Sequence, residues 1–137
     1  MEKIIKIEEG RSCNFKASAF SPIAFNKLFP GRDFMKEIEA LHDTQEESKS
    51  GGALPVEVYE MFVRIAYTFA WQGLAPSPAQ TPEQKEFLEK YPDPWSWIDT
   101  FNTFSIYEIL PEIVDLWYAG AKPTATAKKN SRKQSVK

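Results

Sequence analysis

The chain has 137 residues, of which 17 are Lys or Arg, 19 are Asp or Glu and one is His, so its formal net charge is −2. This length is typical of a single domain, and 42% hydrophobic residues are enough to build its core. No apolar run approaches the roughly 20 residues of a membrane-spanning helix, and the N-terminal residues lack the apolar stretch of a signal peptide, so we expect a cytoplasmic protein with no membrane partner.

The first predicted element is a β-hairpin. Residues 3–8 and 11–16 alternate apolar and polar side chains, as strands with one buried face do. Gly10 lies between them and predicts a tight turn, because glycine adopts positive φ at little cost. A hairpin has unpaired edges, and such an edge is a template for a strand of another chain.

Helical patterns follow the hairpin. Helices are predicted at residues 23–29, 34–41, 55–72 and 82–90, from Asp93-Pro94 onward, and at 105–118 with a kink or break at Pro111. Ser21 is expected to cap the first of them. Polar and Gly-rich residues 42–54 predict a flexible loop. The predicted fold is α+β, mainly α, with an N-terminal β-hairpin followed by a bundle of about five or six helices in one domain, residues 1–120.

Aromatic residues supply the candidate binding side chains. The chain has 10 Phe, 5 Tyr and 4 Trp, and most of them are expected in the core. Trp71 stands at a predicted helix end and Trp95 in a first helical turn, so these two are expected to be exposed. Tryptophan is enriched at protein–protein hot spots. We take Phe25, Phe29, Trp71 and Trp95 as candidate protein-binding residues.

The sequence offers little for catalysis or metal binding. Cys13 and His42 are the only residues of their types, whereas an ordinary zinc site uses about four ligands of this kind. A nucleophilic pair of Cys13 and His42 is an alternative, but the expected surroundings do not activate the thiol. Asp33 and Glu37, one helical turn apart, are typical of solvated surface. We therefore expect no enzyme, no cofactor and no metal site.

Charge is distributed unevenly along the chain. Residues 1–120 hold 11 basic and 19 acidic side chains, a balance of −8, whereas residues 121–137 hold six basic side chains and no acidic one. This C-terminal segment predicts a disordered basic tail. An alternative function follows from it: a small nucleic-acid-binding regulatory protein that uses the tail. The acidic body argues against nucleic acid as a partner, because phosphate affinity depends on clustered cations.

One stretch carries a family resemblance. Residues 25–34 read Phe-Asn-Lys-Leu-Phe-Pro-Gly-Arg-Asp-Phe and follow the predicted hairpin. They resemble the N-terminal signature of tail assembly chaperones of phages and prophages with long non-contractile tails. That signature has a hairpin, a short helix ending near Phe-Gly-Arg-Asp and then an acidic helix; here Pro30 is inserted before the glycine. Residues 64–67, 94–101 and the helix end at 116–117 are also similar to this family.

The resemblance implies a chaperone of phage tail morphogenesis that is not part of the virion. Such a protein binds and solubilises the tape measure protein in the host cell cytoplasm. It also helps to recruit tail tube protein, mainly through a frameshifted longer form. Open hairpin edges would in addition allow self-association into a spiral or ring. A small enzyme and a structural head or tail component are further alternatives; a structural component, unlike a chaperone, would persist in finished virions.

Overall fold

The computed structural model describes residues 1–48, 55–75, 80–102 and 105–121. Within them the chain forms β1 (Glu2–Glu8), β2 (Arg11–Lys16), α1 (Ser21–Leu28), α2 (Phe34–Ser48), α3 (Val56–Gln72), α4 (Pro82–Lys90), α5 (Pro94–Ile98) and α6 (Ser105–Ala121). The fold is α+β and mainly α, an N-terminal hairpin followed by six helices, as predicted. Among the described residues, no helix combines the length and the apolar character that a membrane span requires.

The hairpin packs one face on the helices. β1 and β2 pair antiparallel with Ile5 opposite Cys13, and Gly10 makes the turn with a φ of 79°. Ile5, Ile7 and Phe15 are buried in the core. The predicted alternation is therefore confirmed, and the opposite face of the hairpin remains outside the core.

Helix α3 is the centre of the core. It contacts β2, α1, α2, α4 and α5, and every residue from Phe62 to Gln72 is buried. A helix that neighbours cover on all sides buries its polar positions together with its apolar ones. Two of these, Arg64 and Thr68, are buried here, and each finds a hydrogen-bond partner.

The hairpin and α3 meet at a glycine. A Cβ atom at Gly73 would lie 1.9 Å from the backbone oxygen of Asn14. The side-chain amide of Asn14 donates to the carbonyl oxygen of Gly73 at 3.0 Å. Because only glycine permits this approach, α3 ends directly against β2.

Several predicted boundaries are wrong. Helix α2 continues to Ser48, so residues 42–48 of the predicted loop are helical; this stretch has no Gly or Pro, and its Gln and Glu residues favour helix. Residues 49–54 of that loop, and residues 122–137 of the predicted tail, lie outside the described residues. Helix α6 runs through Pro111 without a break. Its buried residues on both sides of the proline offset the cost of the missing hydrogen bond.

The predicted starts of α4 and α5 agree with the structure, whereas the predicted cap of α1 does not. Thr81 forms a capping box with Gln84, and Asp93 caps α5 through Ser96. Ser21 does not cap α1, whose N-cap position is Phe20. The Ser21 hydroxyl instead donates to Oε1 of Gln72 at 2.6 Å, because the start of α1 packs on the end of α3.

Candidate functional site

A groove lies between the end of α1, the middle of α3, and α4 with the start of α5. Its volume is about 400 Å³. We call it the α1–α5 groove. Its apolar and aromatic lining comprises Leu28, Phe29, Tyr67, Leu88, Pro92, Pro94 and Trp95. Its charged lining comprises Arg32, Arg64 and Asp93. Walls that combine apolar and aromatic side chains with a few charged groups are typical of binding sites.

The start of α5 sets the position of the tryptophan in the groove. Oδ1 of Asp93 accepts from the backbone N–H of Ser96 at 2.7 Å, and Pro94 occupies the first turn. Residues two apart on a helix face different sides. Trp97 is consequently sealed in the core against Phe15, whereas Trp95 is 43% exposed beside the groove.

Phe29 and Tyr67 form the aromatic side of the groove. The Phe29 ring lies 6.0 Å from that of Tyr67 and is half-buried. The Tyr67 hydroxyl donates to the carbonyl oxygen of Tyr91 at 2.5 Å. Burial, and to a smaller extent the negative charge of Asp93, raise the pKa of Tyr67 to about 12. The phenol is therefore a neutral donor at physiological pH rather than an acid or base.

A partly buried ionic cluster supports the other wall. Oε2 of Glu37 accepts from Nε of Arg32 at 2.6 Å, and Oε1 accepts from Nε of Arg64 at 3.0 Å. Glu37 is only 4% exposed, so its placement on solvated surface beside Asp33 is wrong. The signal that could have revealed it is Arg64, a charged residue within the apolar pattern of α3, because a buried charge requires a partner. We call Arg32, Glu37 and Arg64 the arginine cluster.

The four candidate binding residues have different outcomes. Phe29 and Trp95 line the same groove although they are distant in sequence. Phe25 is fully buried between Phe29 and Phe34, so it presents no surface to a partner. The predicted exposure of Trp71 is wrong, since its side chain is 7% exposed.

Helix α4 is tied to the end of α3 beside Trp71. The Gln84 side chain donates to the backbone oxygen of Trp71 at 2.9 Å. Nε1 of Trp71 is buried and has no hydrogen-bond partner among the described residues. The position at a helix end suggested exposure, but the fold covers this side chain.

The residues considered for catalysis are not brought into one site. Burial raises the pKa of Cys13 to about 11, which disfavours the nucleophilic thiolate. The His42 ring lies on α2, 4.7 Å from the ring of Tyr118. In the part of the chain that the structure describes, no group of three or more His, Cys, Asp or Glu side chains is placed to hold a metal ion.

Comparison of the chain with protein-family models, with curated proteins and with solved structures finds no match. The groove, the exposed apolar side chains and the sequence resemblance are therefore the features that indicate a function.

Proposed function

We propose that this protein is a phage tail assembly chaperone. It binds and solubilises the tape measure protein in the host cell, helps to recruit tail tube subunits and is absent from the finished virion. The observation that carries the proposal is the α1–α5 groove. Phe29, from the similar segment 25–34, and Trp95, from the similar segment 94–101, both line it. Two separate parts of the resemblance thus contribute to one surface.

The surface chemistry supports binding of an apolar partner. Ile4, Ile23 and Met35 are exposed apolar side chains in addition to Trp95. A tape measure protein exposes apolar helix stripes, and an amphipathic helix binds in a groove through its apolar face. Many weak contacts along one rod give high total affinity, and each contact remains easy to displace when the tube grows.

Co-expression with the tape measure protein of the same tail gene cluster tests the proposal. We expect the soluble fraction of the tape measure protein to rise severalfold and the two proteins to co-purify. Trp95→Ala should reduce this gain, because large aromatic anchors contribute about 2 kcal/mol or more at interfaces. Val56→Ala is the matched control, since it truncates an exposed apolar side chain outside the groove.

Virion composition provides the second measurement. Mass spectrometry of purified virions should detect the tape measure and tube proteins but not this chain. Equal solubility of the tape measure protein with and without the chain would contradict the chaperone function. Stoichiometric amounts of the chain in virions would instead identify a structural component.

A further inference from the structure

We propose that the α1–α5 groove binds a segment of the partner polypeptide that carries a carboxylate side chain beside large apolar side chains. The carboxylate is held by Arg32 and Arg64, and the apolar side chains pack on Phe29 and Trp95. The identity of the partner rests on the proposed function. The chemistry of the segment follows from the groove itself.

The arginines retain hydrogen-bond donors for a second carboxylate. A guanidinium group has five N–H donors in a fixed planar arrangement. The hydrogen bonds found for Arg32 and Arg64 among the described residues use Nε of each, and both are accepted by Glu37. Glu37 thereby fixes the orientation of both guanidinium groups, and their terminal NH₂ groups remain for a ligand. Arginine binds carboxylates through such paired N–H groups.

The charge of the cluster favours an anion. Two guanidinium groups and one carboxylate give the arginine cluster a balance of +1. The buried pair of Arg64 and Glu37 is neutral, with side chains that are 8% and 5% exposed, so the excess charge lies on Arg32, whose side chain is 45% exposed. A further carboxylate gives a neutral set of two cations and two anions. A bound segment without a carboxylate would cover the excess positive charge and leave it unpaired, which is costly.

Asp93 determines which side of the groove the carboxylate enters. It is the acidic residue of the lining, and one of its oxygens is engaged by the N-terminus of α5. It repels an incoming carboxylate from the α5 side and leaves the side of Arg32 and Arg64 as the favourable position. Trp95, which follows Asp93 closely in α5, then meets the apolar neighbours of the bound carboxylate.

The size of the groove also restricts the ligand. A volume of about 400 Å³ accommodates a few side chains. One turn of an amphipathic helix presents such a set, with side chains three and four positions apart on one face. A helix with a carboxylate at the margin of its apolar stripe therefore places the carboxylate on the arginine cluster and the apolar side chains on the aromatic side of the groove.

Two synthetic peptides test the inference on the full-length chain. Both are acetylated and amidated 14-residue leucine-rich amphipathic helices, identical except for Glu or Gln at one position beside the apolar face. Binding is followed by the indole N–H signal of Trp95 in ¹⁵N-labelled protein, assigned with Trp95→Phe. The Glu peptide should shift this signal and bind about fivefold more tightly than the Gln peptide at low salt, as expected for a partly covered ion pair.

Charge variants identify the groups responsible. Arg32→Gln should remove the preference for Glu, and Asp93→Asn, which retains a good N-cap, should tighten binding of the Glu peptide about twofold. Arg11→Gln is the matched control, because Arg11 lies on β2 away from the groove and contacts Phe101. It should leave the fivefold preference unchanged.

The outcomes separate this inference from the proposed function. Equal affinity for both peptides, or an unchanged preference in Arg32→Gln, overturns the inference even when the tape measure protein is solubilised. A Glu preference without solubilisation of the tape measure protein overturns the chaperone function and leaves the groove chemistry standing. If the Trp95 signal shifts when only the protein concentration is raised, and this shift is lost in Arg32→Gln, then the groove binds a second copy of this chain. That result also overturns the inference.

Discussion

Glu37 is a single carboxylate that two arginines share beneath the surface of the groove. It connects α2 to α3 through Arg64 and to the turn between α1 and α2 through Arg32. Taking a carboxylate out of water is costly, and only paired and hydrogen-bonded cations offset the cost. At the residue scale, Glu37 therefore both stabilises the helix packing and orients the donors that line the groove.

Replacing Glu37 with Gln should destabilise the protein by about 3 kcal/mol. The substitution leaves the buried Arg64 without its anion, and breaking a buried pair costs about 3–5 kcal/mol when both groups are covered. The free energy of unfolding in urea measures the effect. Glu39→Gln is the control on the exposed side of the same helix and should change it by less than about 0.5 kcal/mol. A loss as small as that of the control would show that the arginine cluster adds no stability.

The contact of α3 with the hairpin is the decisive junction at the scale of elements. Helix α3 ends where β2 crosses it, and the structure leaves no room for a side chain between Gly73 and the backbone of Asn14. The Asn14 amide also donates to Gly73, so backbone approach and hydrogen bond occur together. This junction sets the angle at which the hairpin covers α3.

The Gly73→Ala variant should be destabilised by about 1–3 kcal/mol, as overpacked sites are. The new methyl group meets a backbone oxygen, which cannot move away as a flexible side chain would. Thermal unfolding followed by circular dichroism measures the loss. Asn14→Ala in the same background should not restore stability, because the conflicting atom belongs to the main chain. Full rescue by that second substitution would place the conflict in the Asn14 side chain instead.

At the scale of the whole molecule, the sheet of the described residues consists of two strands, so each strand has one neighbour in it. Among the described residues β1 pairs with β2 and with no other strand. Ile4 on β1 is 71% exposed, and an exposed apolar edge strand is a site for pairing between chains. When such an edge contacts a different surface of the next copy, the contact repeats from copy to copy and builds a ring or spiral.

The average molecular mass in sedimentation experiments should rise with concentration through the high micromolar range. Ile4→Lys should reduce this association, because a charge on an edge strand opposes pairing. Val56→Lys introduces the same charge at an exposed position of α3 and should leave association unchanged. A monomer at every concentration would exclude the edge contact.

The order and type of the elements could be predicted from the sequence, because these depend on short-range interactions. The alternation of the strands, the turn at Gly10, the capping box at Thr81 and the long apolar helix α3 are all local patterns. The candidate Trp95 could also be chosen in this way, since it stands in the first turn after a cap.

Packing between elements determines which side chains are covered. Trp71 and Trp95 both stand near helix ends, but the first is buried and the second is exposed. The continuity of α6 at Pro111 and the burial of Glu37 likewise depend on neighbours that are distant in sequence. Periodicity shows which face of an element is apolar, but the packing of the other elements determines whether that face is buried or forms a groove.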